Sequence, residues 1–93
     1  MLVDSHCHLT YEGLREDIED VLARAGAANV VTLVTIATRL SDHDAIVAVA
    51  DRFANVFATV GVHPHEAEPA AELSPDTLVA RAAHPRVIGI GET

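Results

Sequence analysis

The feature that most limits what this chain can fold into is an alternation of two patterns. "VVTLVTIAT", Val30–Thr38, is a nearly unbroken β-branched run. Such runs suit a strand covered on both faces, as in a parallel sheet. Before it, Leu14, Ile18, Val21, Leu22 and Ala25 recur at helical spacing, and Gly26 offers a stop. After it, Ile46, Val49, Ala50 and Phe53 form a second helical stripe, preceded by Ser41 and Asp44 at capping-box spacing. "VFATVGV", Val56–Val62, reads as another strand and runs into the polar loop "HPHEAEPAAEL". Ser74-Pro75 marks a third helix start, with Leu78 and Ala82 turned inward and a stop near His84-Pro85. "MLV" opens a first strand, and "VIGIGE", Val87–Glu92, supplies a fourth. The order is β-α-β-α-β-α-β. It predicts parallel strands joined by right-handed helical crossovers.

A length of 93 residues makes one small domain, residues 1–93. The composition, 49% apolar and 22% charged, is that of a globular chain. An eight-unit barrel needs about 250 residues, roughly 30 per βα unit. The predicted fold is therefore α/β, a partial TIM (β/α)8 barrel comprising the first three βα units plus strand four. That arrangement leaves an apolar face and an edge of the fourth strand exposed. The formal charge is −8, from fourteen acids against six arginines. Such a surface repels polyphosphate unless a bound metal ion supplies local positive charge. Cys7 is the only cysteine, so no disulfide can form within the chain. No basic segment followed by an apolar run marks a signal peptide, and no apolar run approaches the roughly 20 residues of a membrane span. The expectation is a soluble, cytoplasmic protein without a membrane partner.

Four of the six histidines occur as two His-x-His pairs, "HCH" and "HPH". On a strand, His6 and His8 project to one face about 7 Å apart while Cys7 points away. Two imidazoles so placed can converge on one divalent cation. In a parallel sheet the C-terminal strand ends share one face, where ligands bind in α/β folds. His6 and His8, His63 and His65, and Glu92 all fall at those ends. Gly89 and Gly91 beside Glu92 thin the packing there. His63 reads as a ligand or a substrate-binding group, and His65 as exposed. Glu66 and Glu68 read as a solvated loop face, and His43 and His84 as surface residues at helix ends. Asp4 shares the face of the histidine pair, as an acceptor for an imidazole N–H or as a buried polar residue near the barrel floor. Cys7 reads as a small packed hydrophobe. No dinucleotide or P-loop fingerprint, nucleophile elbow or Cys-x-x-Cys motif is present. A non-catalytic metal-binding domain is the competing reading, but structural zinc sites usually draw on several cysteines.

"MLVDSHCHLT", "VGVHPHEAE" and "VIGIGET", in that order, resemble the TatD family of metal-dependent hydrolases. These are amidohydrolase-like TIM barrels often described as deoxyribonucleases. The resemblance implies that His6 and His8 hold a divalent metal, and that Glu92 binds metal too and bridges where two ions are present. It implies a place for His63 near the substrate phosphate. The family's remaining ligands are two histidines and an aspartate that also serves as general base. They come from the second half of the barrel, so no catalytic base is assigned within residues 1–93. The chain alone is expected to show little activity. The implied cofactors are two divalent ions (zinc, magnesium or manganese), the implied substrate is DNA, and no stable protein partner is implied. The reaction would be metal-assisted phosphodiester hydrolysis. Hydrolysis of an amide or ester on the same scaffold is the alternative.

Overall fold

The four apolar runs become four parallel strands. They are β1 (Leu2–Cys7), β2 (Val30–Thr35), β3 (Val56–Val60) and β4 (Val87–Ile90), in the sheet order β1-β2-β3-β4. The structure, a computed structural model, describes residues 1–66 and 74–91, and the side chain of Glu66 is not among the described features. Glu68 and Glu92, singled out in the sequence, lie outside the described residues. Each strand pairs in parallel with the next. Between them run α1 (Ile18–Ala27), α2 (His43–Arg52) and α3 (Pro75–Ala82).

Burial follows the two periodicities. Val56, Ala58 and Val60 of the inner strand β3 are wholly buried, in one core cluster with Leu33 of β2, Ile46 and Ala50 of α2, and Ile18 and Leu22 of α1. Each fully buried Val or Ile side chain contributes about 1.5–3 kcal/mol. Leu78 and Ala82 of α3 pack against the same core from its edge. The two edge strands are less covered: Leu2 and Val3 of β1 and Ile88 and Ile90 of β4 are exposed.

Three local expectations are corrected. Leu14 precedes a 3-10 turn (Arg15–Asp17), and the α-helix starts only at Ile18. Gly26 lies inside α1 and does not stop it. The chain leaves through Asn29 at φ 67, whose carbonyl then accepts the Leu2 amide at 2.8 Å. Asparagine tolerates the left-handed region, so it takes the role assigned to glycine. Ser41 and Asp44 form no capping box, because a 3-10 turn (Leu40–Asp42) feeds α2 and no side chain caps it. At α3 the expected cap does form, with Ser74 Oγ accepting the Thr77 amide at 3.2 Å and Pro75 in the first turn.

Arg86, just before β4, fixes the C-terminus of α2. Its guanidinium donates to the carbonyls of Ala50 and Phe53 at 3.2 Å and of Ala54 and Val56 at 2.7 Å. The same group lies 4.2 Å over the Phe57 ring. Helix-terminal carbonyls left without partners are thereby satisfied by a cation at the favourable end of the dipole.

Candidate metal and substrate site at the strand ends

Two threonine hydroxyls hold the segments that leave the sheet. Thr35, fully buried in β2, accepts the Leu9 amide on Oγ1 at 3.2 Å. Thr59 of β3 accepts the Ala37 amide at 3.1 Å and donates to the Gly91 carbonyl at 3.1 Å. Backbone bonds complete the pattern: Ile36 to the Cys7 carbonyl (2.8 Å), His63 to the Thr38 carbonyl (2.7 Å) and Gly91 to the Val60 carbonyl (2.9 Å). The histidine-bearing loops are therefore tied to the neighbouring strand end. Sequence reasoning missed both threonines. Their signal was a hydroxyl inside an apolar run, where a buried polar atom requires a partner. It also weighted Gly89 and Gly91 for the close approach, whereas the position that demands glycine is Gly61. A Cβ there would sit 2.3 Å from the Gly91 carbonyl oxygen, while one on Gly91 would meet open space.

His6 and His8 stand at and just beyond the end of β1, with ring centroids 5.2 Å apart in an edge-on arrangement. His8 is half-buried. Its Nδ1 lies 3.3 Å from the Ile36 carbonyl, which can only accept, so the proton sits on Nδ1 and Nε2 carries the lone pair. Tyr11 stacks on the same ring at 4.5 Å with an interplanar angle of 15°. Asp4 Oδ1 accepts the backbone amide of His6 at 3.1 Å. Cys7 packs against the core and donates its thiol to the Val34 carbonyl at 3.3 Å. Burial, with the Asp4 carboxylate adding to it, pushes that thiol up to about 12. It stays protonated at neutral pH and is no nucleophile.

His63 takes the opposite tautomer. Its Nδ1 accepts the His65 backbone amide at 3.1 Å, which leaves the proton on Nε2 as an outward donor. The His63 and His65 rings lie 4.9 Å apart, and His65 is exposed. His84-Pro85-Arg86 repeats this turn, the Arg86 amide donating to His84 Nδ1 at 3.1 Å. His84 Nε2 then faces Asp51 at 3.3 Å. The expectation of two surface histidines is corrected. His84 is half-buried, and His43 is only 5% exposed, with no hydrogen-bond partner for its Nδ1 among the described residues. Arg81 of α3 and His84 lie near enough to His43 to act on its charge.

Among the described residues no group of three or more His, Cys, Asp and Glu side chains is placed to hold a metal ion. The described donors are the two imidazoles of His6 and His8. Their chemistry fits a first-row divalent ion as part of a larger ligand set. Glu92 follows Gly91, whose backbone is fixed on both sides by β3.

The family model described as TatD related DNase matches residues 3–93 of the chain. The chain belongs to the TatD-related DNase family. It is 33% identical over 91 residues to the 3'-5' ssDNA/RNA exonuclease TatD of Salmonella typhimurium, covering 98% of this chain and 35% of that protein. It is 37% identical over 95 residues to the metal-dependent hydrolase YcfH of Escherichia coli K12, covering 99% and 35%. Among solved structures it resembles YjjV, a TatD homolog from Escherichia coli K12, with a TM-score of 0.78 and 25% identity over 98% of this chain and 36% of that one. The chain thus spans about a third of the length of these relatives. Its sheet and helices correspond to a partial TIM barrel, three βα units and a fourth strand, as the alternation predicted. Among the described residues no helix is long and apolar enough to cross a membrane.

Proposed function

We propose that these 93 residues form the His-x-His part of a divalent-metal hydrolase that cleaves phosphodiester bonds in DNA. The observation that carries the reading is the pairing of the His6 and His8 rings, 5.2 Å apart at the end of β1, in a chain whose family is established over residues 3–93. In this reading His6, His8 and Glu92 are metal ligands, with two ions shared in the complete site. Zinc, magnesium and manganese are the ions to test. When bound, the metal supplies a water of lowered pKa and neutralises charge on the phosphoryl oxygens. The rest falls to this chain's own groups. The Ile36 carbonyl holds His8 in the tautomer that presents Nε2. His63, with Nδ1 engaged by the His65 amide, offers Nε2–H to a phosphate oxygen and is not a ligand. Asp4 positions His6 through its backbone amide. The single cysteine, with no disulfide partner within the chain, fits a reducing, cytoplasmic setting.

Titration calorimetry with zinc and manganese tests the pair directly. His6→Ala and His8→Ala should each weaken binding at least about tenfold, the range that loss of even a supporting contact produces, and His65→Ala should not. Unchanged affinity in His6→Ala would remove the site. In parallel, DNA with a free 3′ end is incubated with the chain across magnesium, manganese and zinc. Little cleavage is expected, because the chain spans only about a third of the length of its relatives. Metal-dependent cleavage abolished by His6→Ala would show that the chain completes the site by itself.

A further inference from the structure

A cleft of about 650 Å³ opens beside the histidine pair, between the segment after β1 and the first turns of α2. Tyr11, Glu12, Arg15, Arg39, Asp42 and Val49 are among its lining residues. Nothing in the metal-site reading uses it. Its notable wall is Tyr11. One face of that ring lies nearly parallel on His8 at 4.5 Å, yet the residue is 45% exposed. A half-exposed aromatic ring locked flat against a candidate metal ligand leaves a rigid planar surface for a second ring.

Two of the six arginines stand on the same cleft. Arg39 contacts Asp42 at 3.0 Å and Arg15 contacts Glu16 at 3.2 Å, in each case through Nε. Both carboxylates orient a guanidinium without burying it, since the two arginine side chains are 53% and 61% exposed. Their terminal nitrogens can take a phosphate in the bidentate manner arginine favours. The other four arginines do not line this cleft: Arg24 pairs with Asp20, Arg52 with Glu19 and Arg81 with Asp44, and Arg86 holds four carbonyls. In a chain of charge −8, the two arginines balance the carboxylates of Glu12 and Asp42 in the same lining, and an aromatic platform stands with them beside His8.

Resting on the proposed nucleic-acid reading of the adjacent site, we infer that this cleft is the entry track for a single strand, with a base stacked on Tyr11 and the backbone phosphates on Arg39 and Arg15. Stacking is tolerant of base identity because every base has a π-face, and arginine grooves that track the backbone accompany it in single-strand binders. A duplex cannot use the platform, since its bases are already stacked on each other. The cleft therefore selects unpaired strands.

Tyr11 is the only tyrosine and the chain has no tryptophan, so intrinsic emission reports on this one ring. The experiment titrates the 93-residue chain with single-stranded oligothymidylate, an abasic oligomer of equal length and a duplex. Tyrosine emission is corrected against free N-acetyltyrosinamide, and binding is read independently by anisotropy of a labelled strand. Oligothymidylate should quench Tyr11 saturably, and the abasic oligomer should bind more weakly without quenching. Tyr11→Leu, which keeps apolar packing on His8, should weaken binding about tenfold, and Tyr11→Phe should preserve it. Arg39→Ala should lower the salt dependence of binding by about one phosphate contact. Strand binding without quenching, indifferent to Tyr11→Leu, overturns the track and leaves the nuclease reading standing. Equal affinity for duplex and single strand overturns the selectivity. Absence of any oligomer binding overturns the nucleic-acid reading and the track with it.

Discussion

His8 and His63 show how one side-chain type is given two roles by a single neighbouring backbone group. A carbonyl at Nδ1 leaves His8 with a lone pair on Nε2, and an amide at Nδ1 leaves His63 with a proton there. Ligand chemistry needs the first and phosphate recognition the second. His43 has neither kind of partner at Nδ1 among the described residues, and its environment opposes charge. Burial first, and then the Arg81 guanidinium, hold its pKa below the ordinary 6.5, against a smaller pull upward from Asp44. Because the folded-state pKa is lowered, the stability tied to neutral His43 is fully present above about pH 6.5 and is lost as pH falls through the lowered value. Urea unfolding followed from pH 8 to pH 5 should show that loss. His43→Leu, of similar volume and without a charge to bury, should flatten the acid limb. An equally steep limb in the variant would assign the acid sensitivity elsewhere.

At the scale of elements, the strand ends are tied more firmly than the strands' own ladder requires. Thr35 and Thr59 carry side-chain bonds from one strand to the segment beyond another. Gly61 lets the Gly91 carbonyl pass within a distance that any Cβ would block. Gly61→Ala should therefore push the end of β4 away from β3, at a cost of about 1–3 kcal/mol for forced overpacking. The measurement is urea denaturation combined with amide exchange at Gly91, whose N–H bonds the Val60 carbonyl at 2.9 Å. Exchange there should accelerate more than at the centre of β2. Unchanged protection at Gly91 would mean that the contact is not a constraint on β4. Arg86 does comparable work at the opposite end of the sheet, since its forked guanidinium reaches four carbonyls that a lysine ammonium could not span.

For the whole molecule, the sheet order puts β1 and β4 at the two edges, and Leu2, Val3, Ile88 and Ile90 are exposed there. Ile88 is 58% exposed and Ile90 52%, two residues apart on one face of β4. An exposed apolar edge strand is a template for pairing with another chain. The 93-residue chain should accordingly associate as concentration rises, in sedimentation or light scattering. An Ile88→Lys, Ile90→Glu double variant should remain monomeric at concentrations where the parent does not. A parent that stays monomeric throughout would show that these side chains do not drive association.

The strand starts, the helical stripes, the Ser74 cap and the position of His6 and His8 at the end of β1 were all legible in the sequence. Each rests on short-range periodicity or on local capping chemistry, which a linear pattern records. The true start of α1, the left-handed Asn29 and the absent box at Ser41 were not, because turn geometry there is chosen by how the helices meet the sheet. Burial of His43, the tautomers of His8 and His63, and the demand for glycine at Gly61 came only from the tertiary structure. Each depends on a backbone group distant in sequence or on a turn whose shape is set by packing. The sequence by itself determined which residues could do chemistry and at which end of the sheet they would stand. Tertiary structure alone decided which ring atom of His8 and of His63 is available, because a proton's position follows from a neighbour that no periodicity reveals.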